Sequence, residues 1–413
     1  MKTTKNRHLN IELLRIISMF MILILHYLGA GNVLTKTSIT PPPRPSENSS
    51  DLLKSEVKTQ GDSLENSFEG HSCRSKFSDD FLRGSFRTAS PDILSIATYV
   101  TIWILEAVCL VSVNCYMLIS GYFLSSKKFT WRRPIMFYSQ VLFYTISLSI
   151  ICFFIIKGPI TVRKFISTFP IVSRKNWYVT TYFAVLLVMP FLNVAIFNLK
   201  KETKLRLIII GIFLFSIIST IFCYTDQFNL NGGYSLLWYC FMYFCGSYIK
   251  EYGVRISKKF LFIILLLPLS KFLIQYSSNT FHFLAGHDTI FYNYNSFPVF
   301  LASIIIFNFF VNLRVKTLNE IYQTVIRLLG KTSFAVFYLH SFVLIRDYLW
   351  VKMGSEDYLN SVFVFVHLLV CITLVYFICS CIEILRMRFF EITQIDRCLI
   401  NLSNYLDTKY SMN

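Results

Sequence analysis

The sequence predicts an all-α polytopic membrane bundle of about ten transmembrane helices around a polar cavity, and three observations point there. The 413-residue chain is 54% hydrophobic and only 15% charged, with a mean hydropathy of +0.53, well short of the ~25% charge usual in soluble domains. Apolar runs of roughly 17–25 residues, the length that crosses a ~30 Å hydrocarbon core as a helix, recur along it. Its cations lie in short blocks between those runs. Such spans must be helical, because an open strand would leave backbone groups unpaired in lipid.

Taken in order, the spans fall at 9–29, 93–124, 135–156, 177–198, 205–224, 234–249, 260–276, 297–312, 332–350 and 359–385. The first follows Lys2, Lys5 and Arg7. Lys127, Lys128, Arg132 and Arg133 separate the second from the third; Lys200, Lys201, Lys204 and Arg206 separate the fourth from the fifth. Lys250, Arg255, Lys258 and Lys259 part the sixth from the seventh, and Arg314, Lys316, Arg327 and Lys331 the eighth from the ninth. Arg386, Arg388, Arg397 and Lys409 follow the last. The opposite loops 225–233 and 277–296 hold no Lys or Arg, and 351–358 only Lys352. The positive-inside rule then places both termini in the cytoplasm of a multi-pass cell-membrane protein. Residues 157–176, with Lys157, Arg163, Lys164, Arg174 and Lys175 on the outer side, depart from the rule and read as a loop on an anionic surface.

The net charge of +17 is explained by this topology, which argues against a nucleic-acid partner. Residues 36–92, Pro-rich and then Ser-rich with mixed charge, read as a disordered extracytoplasmic insert in one membrane domain covering 1–413. Nine of the eleven cysteines fall within predicted spans and Cys73 is the only one in the outer loops, so neither a disulfide framework nor a metal site is expected. Glu12, Arg15 and His26 argue against reading the first run as a cleaved signal.

Ionisable residues inside a bilayer need a reason to stay. Arg15 and His26 are eleven residues apart, about three turns, and so share one helix face roughly 16 Å apart. The guanidinium suits phosphate; the imidazole suits removal of a proton from a hydroxyl. The plainer alternative has Arg15 snorkelling or pairing with Glu12 one turn earlier, and His26 marking the outer boundary. Glu106, in the second span, is a candidate to orient His26. Trp177, Tyr178 and Tyr182 form either an interfacial aromatic belt or a sugar-stacking surface. His340 can bind an acceptor or merely pack, and Lys271 has no partner assignable from sequence.

The stretch NIELLRIISMFMILILHY at 10–27, which carries Arg15 and His26, resembles the opening of acyltransferase family 3. VNCYMLISGYFL at 113–124, NWYVTTYFAVLLVMPFLN at 176–193 and GKTSFAVFYLHSF at 330–342 are similar to later helices of that family, in the same order. The resemblance implies a membrane-bound O-acyltransferase that moves an acyl group, usually acetyl, from acetyl-CoA or another acyl-CoA to a hydroxyl of a cell-surface glycan or lipid-linked saccharide. It makes His26 the base and gives Arg15 a share in holding the donor, with no permanently bound cofactor. Arg132 and Arg133 match the region of a spaced arginine pair in the family, but here they are adjacent, so plain topology signals remain open beside donor binding. A transporter or flippase for a glycan is the main rival; a membrane scaffold is the second.

Overall fold

The computed structural model describes residues 9–36, 93–155, 165–166, 168–170, 176–222, 225–277, 287–313, 319–355, 357–359, 361 and 363–410. The expected insert at 36–92, apart from Lys36, lies outside these residues, as do Cys73, the basic residues of 157–176, and Arg314 and Lys316.

All regular structure among the described residues is helical. In chain order the helices are α1 (Leu9–Gly29), α2 (Ile93–Cys109), α3 (Val111–Leu124), α4 (Arg132–Ile155) and α5 (Trp177–Asn198). There follow α6 (Lys201–Ile212), α7 (Leu236–Tyr252), α8 (Leu266–Ser277), α9 (Phe297–Asn312) and α10 (Glu320–His340). The last three are α11 (Arg346–Lys352), α12 (Val364–Ile392) and α13 (Ile395–Lys409). Helix α6 runs on through a π-helical turn, Phe213–Ile218, to Ile221, and a 3-10 segment, Lys258–Leu265, leads into α8. Among the described residues, seven helical runs are long and apolar enough to cross a membrane, and α9 is a shorter apolar helix. Phe191 and Phe197 on α5 and Phe377 and Leu385 on α12 are exposed, as expected where a helix meets hydrocarbon.

Helix α1 occupies the middle of the packing, against α3, α9, α10 and α12. Glu12 in its first turn complements the helix dipole. Asn10 Nδ2 donates to Phe310 O (2.8 Å) and Val311 O (3.0 Å), two carbonyls in the last turn of α9, the first of which also accepts from the cap residue Leu313 N (3.1 Å). Small residues set the closest approach, between α3 and α7. A Cβ on Gly121 would strike the carbonyl of Tyr243, and one on Gly246 that of Leu118. Asn114 is consumed between helices: its amide donates to Tyr294 O (2.8 Å) and Ser303 Oγ (3.2 Å), and its oxygen accepts from Trp238 Nε1 (3.0 Å).

Two expectations are corrected, and the structure adds a helix and an ion pair that the sequence does not indicate. The predicted span 332–350 is the last turns of α10, a break at Ser341–Ile345 and the short α11. The helix starts at Glu320, whose polar first turns resemble a loop when only apolar runs are sought. The predicted 359–385 segment is displaced to Val364–Ile392. Helix α13 was not anticipated, because its apolar residues form a stripe rather than a run. Its Asp407 accepts from Trp131 N (2.8 Å), next to the start of α4. Lys271 has acquired partners, ion-pairing with Asp288 while its ammonium lies 3.9 Å from the Trp103 ring centroid.

Candidate active site

Arg15 and His26 both belong to the uninterrupted helix α1, so their shared face follows from its regularity. His26 stands in the last turn, half-buried, beside the C-terminal residue of α10. Its Nδ1 lies 2.8 Å from His340 Nε2, and His340 Nδ1 lies 2.5 Å from Val336 O. A carbonyl only accepts, so the hydrogen in that second bond is on His340 Nδ1. In a neutral His340 the other nitrogen, Nε2, holds a lone pair, and the hydrogen between the rings therefore sits on His26 Nδ1. His26 Nε2 is thus left with the lone pair a base requires. The order Val336 carbonyl, His340, His26 fixes the tautomer, as an orienting group does for a catalytic imidazole.

His340, expected either to bind an acceptor or to pack, is buried beside His26 and hydrogen-bonded to it. Glu106, foreseen as the group orienting His26, is buried on α2; the orienting bond at His26 Nδ1 goes to His340. Replacing His340 by Phe keeps the packing but removes the acceptor; we expect kcat to fall by about 10- to 100-fold with little change in KM. Gln, whose carbonyl can still accept from Nδ1, should recover part of the rate, as steady-state kinetics on the two variants will show.

Three turns down α1, Arg15 Nη1 binds Glu12 Oε1 (2.7 Å); the arginine side chain is 24% exposed and the glutamate 3%. The absence of a side chain on Gly330 makes room for that carboxylate. Tyr116 OH donates to Arg15 O (2.8 Å), tying α1 to α3, and the guanidinium lies 5.6 Å from the Phe123 ring centroid. Other cations gather round the same end of α3. Lys250 Nζ donates to Ser126 Oγ (2.5 Å). Asn193 Nδ2 holds Leu124 O (3.0 Å) and Lys127 O (3.2 Å), while its oxygen accepts from Tyr243 OH (2.8 Å). Arg133, within electrostatic reach of that tyrosine, has a buried Nη1 with no hydrogen-bond partner, whereas Arg132 is exposed. A buried, unpaired guanidinium nitrogen is costly, which makes Arg133 a candidate to meet an anion.

Between these two centres runs a wall of rings. Phe337 lies 6.2 Å from His340 and 4.8 Å from Tyr178, which stacks on Tyr182 at 5.9 Å with 5° between planes. Tyr182 in turn accepts from Ser120 Oγ at 3.5 Å. Trp177 packs edge-on against Tyr178 (5.9 Å) and also meets Tyr234 (4.3 Å), Tyr239 (6.0 Å) and Tyr294 (6.1 Å), of which Tyr239 in turn contacts Tyr178 (5.9 Å). Tyr178 and Tyr182 thus adjoin the site, and Trp177 continues the wall through its contact with Tyr178. No group of three metal-ligating side chains occurs among the described residues.

Residues 83–383 match the family model of the acyltransferase domain of acyltransferase family 3. No curated protein and no solved structure matches the chain. The matched span contains Ser120, Arg133, Tyr178 and His340 but begins after α1, so Arg15 and His26 rest on the geometry and on the motif at 10–27. Since that span is well over half of the chain, the protein belongs to acyltransferase family 3 and is a membrane acyltransferase.

Proposed function

We propose that the protein moves an acetyl group from acetyl-CoA to a hydroxyl of a cell-surface glycan, with both termini in the cytoplasm and a polar cavity joining Arg15 to His26 inside a ten-span bundle. The observation that carries this reading is the hydrogen-bonded order Val336 O, His340, His26, which leaves His26 Nε2 as a base. The acceptor oxygen attacks the thioester carbonyl while its proton passes to His26 Nε2. The C–S bond then breaks, and the imidazolium returns the proton to the departing CoA thiolate. His340 Nε2, accepting from His26 Nδ1, stabilises the transient imidazolium.

The donor's phosphates are placed at the other end. Arg15, Arg133 and Lys250 surround the last turn of α3, on the side that the charge bias assigns to the cytoplasm, and a cationic mouth raises the local concentration of a polyanionic donor. Arg133 replaces the Arg132–Arg133 pair as the main contact in this scheme, because its Nη1 is buried without a hydrogen-bond partner while Arg132 is exposed. Arg133→Ala should therefore raise KM for acetyl-CoA by about 10-fold or more, the loss of one charge-assisted contact, and leave kcat near wild type. Initial rates against donor concentration check this.

The decisive experiment compares the mass of surface glycans from cells with the intact protein, without it, and with His26→Ala. An increment of one acetyl group seen only with the intact protein supports the reading; an increment persisting in His26→Ala, or none in any strain, defeats it.

A further inference from the structure

Away from Arg15 and His26, the chain builds a second recess at the ends of α7 and α9, with a volume of about 870 Å³. Gly253, at φ +67 and ψ 166, ends α7 in a backbone conformation that residues with a side chain rarely adopt, and Val254 to Ser257 line the recess together with Asn308, Val311 and Asn312 of α9. Tyr252 closes one end and is held in place. Its hydroxyl donates to Glu251 Oε1 (2.6 Å), and Glu251 Oε2 accepts from the buried Lys204 (2.6 Å). A smaller compartment of about 340 Å³ shares Ile256, Asn308 and Asn312 with the first and adds Ile305, Phe309 and Leu313. Lys258 lies over the Phe309 ring at 4.3 Å.

The two compartments differ in chemistry. The larger has the exposed guanidinium of Arg255 and the Ser257 hydroxyl; the smaller shares Asn308 and Asn312 with it but is otherwise apolar, a lane of Ile256, Ile305, Phe309 and Leu313 with the Lys258 ammonium at its edge. Immediately beyond lie Phe260 and Phe262, 58% and 74% exposed, as residues in contact with hydrocarbon would be. An anionic head beside an apolar tail is what such a pair of compartments accommodates. A soluble polyanion such as CoA has no use for the lane, and no residue of α1 lines either compartment.

We propose that this recess binds an anionic phospholipid, its phosphodiester between Arg255 and Lys258 and an acyl chain along Ile305, Phe309 and Leu313. Basic pockets between membrane helices on the positively biased side are suited to such headgroups, and a guanidinium fork matches phosphate oxygens. The site is separate from the acyl-transfer centre and does not depend on that reading. It adjoins the same turn of α9 whose carbonyls, Phe310 O and Val311 O, receive Asn10, so the lipid would brace the support on which α1 stands.

The test uses the full-length protein, purified in a nonionic detergent and stripped of lipid, with thermal unfolding recorded against added dioleoyl phosphatidylglycerol, dioleoyl phosphatidylcholine, CoA or inorganic phosphate. Phosphatidylglycerol should raise the melting temperature saturably, while phosphatidylcholine and inorganic phosphate at the same concentrations should not. Arg255→Ala combined with Lys258→Ala, both surface changes, should weaken the response about 30-fold. Asn308→Trp, which fills the recess and keeps its charge, should also weaken it. Lys128→Ala combined with Arg388→Ala, which removes two exposed cations elsewhere, should not. An unchanged response in both recess variants, an equal effect of phosphatidylcholine, or displacement of phosphatidylglycerol by CoA would each overturn the proposal.

Discussion

His26→Ala is expected to lower acyl transfer by about 10²- to 10⁴-fold, the range general bases contribute, while insertion and thermal stability stay near wild type. The residue is half-buried at the end of α1, so truncating it opens little of the packed core. The loss should appear in kcat, with KM for acetyl-CoA nearly unchanged, because the donor phosphates are assigned to the far end of the helix. Assays of purified protein in lipid nanodiscs, with acetyl-CoA and a glycan acceptor, separate the two constants. Turnover of this variant at the wild-type rate would show that another group removes the proton.

Gly121→Leu is expected to have the largest effect on stability. Helices α3 and α7 meet where the Gly121 Cα faces the carbonyl of Tyr243, and a branched side chain there cannot be accommodated by rotating a neighbour, since the obstacle is backbone. Overpacking of a flexible site costs about 1–3 kcal/mol; against a fixed carbonyl we expect a cost at or above the top of that range. The protein should fail to accumulate in membranes, and any that does should melt well below wild type. Gly246→Leu, facing Leu118 O one turn of contact away, should behave alike. Normal yield and melting in both would mean that the helices have room the structure does not show.

Most of the spans were legible because a bilayer imposes a crude rule, long apolar runs with cations at their ends. Where the fold departs from that rule, the reading departed too. The first half of α10, EIYQTVIRLL, is amphipathic and carries Glu320 and Arg327, and α13 places Ile395, Cys398, Leu399 and Leu402 at helical spacing without any long apolar stretch. A search at a period of 3.6 residues finds that second pattern. The site was legible in its parts and not in its pairings. Glu12 and Arg15 are neighbours in sequence, and their ion pair was foreseeable. His26 and His340 are 314 positions apart, and nothing local to either announces the other. Glu106 attracted attention because a buried carboxylate is the usual partner for a working imidazole, but the bundle brings a second imidazole to His26 instead. Lys271 and Asp288 meet only because the chain after α8 returns to it.

The carbonyl of Val336 behind His340 can hold a hydrogen but cannot carry one away. In a reaction run from His26, charge drawn into the pair of rings has no exit at the rear, and it must leave by the door through which it came. Each turnover would then close on itself, with nothing drawn from or lost to the water on either side of the membrane.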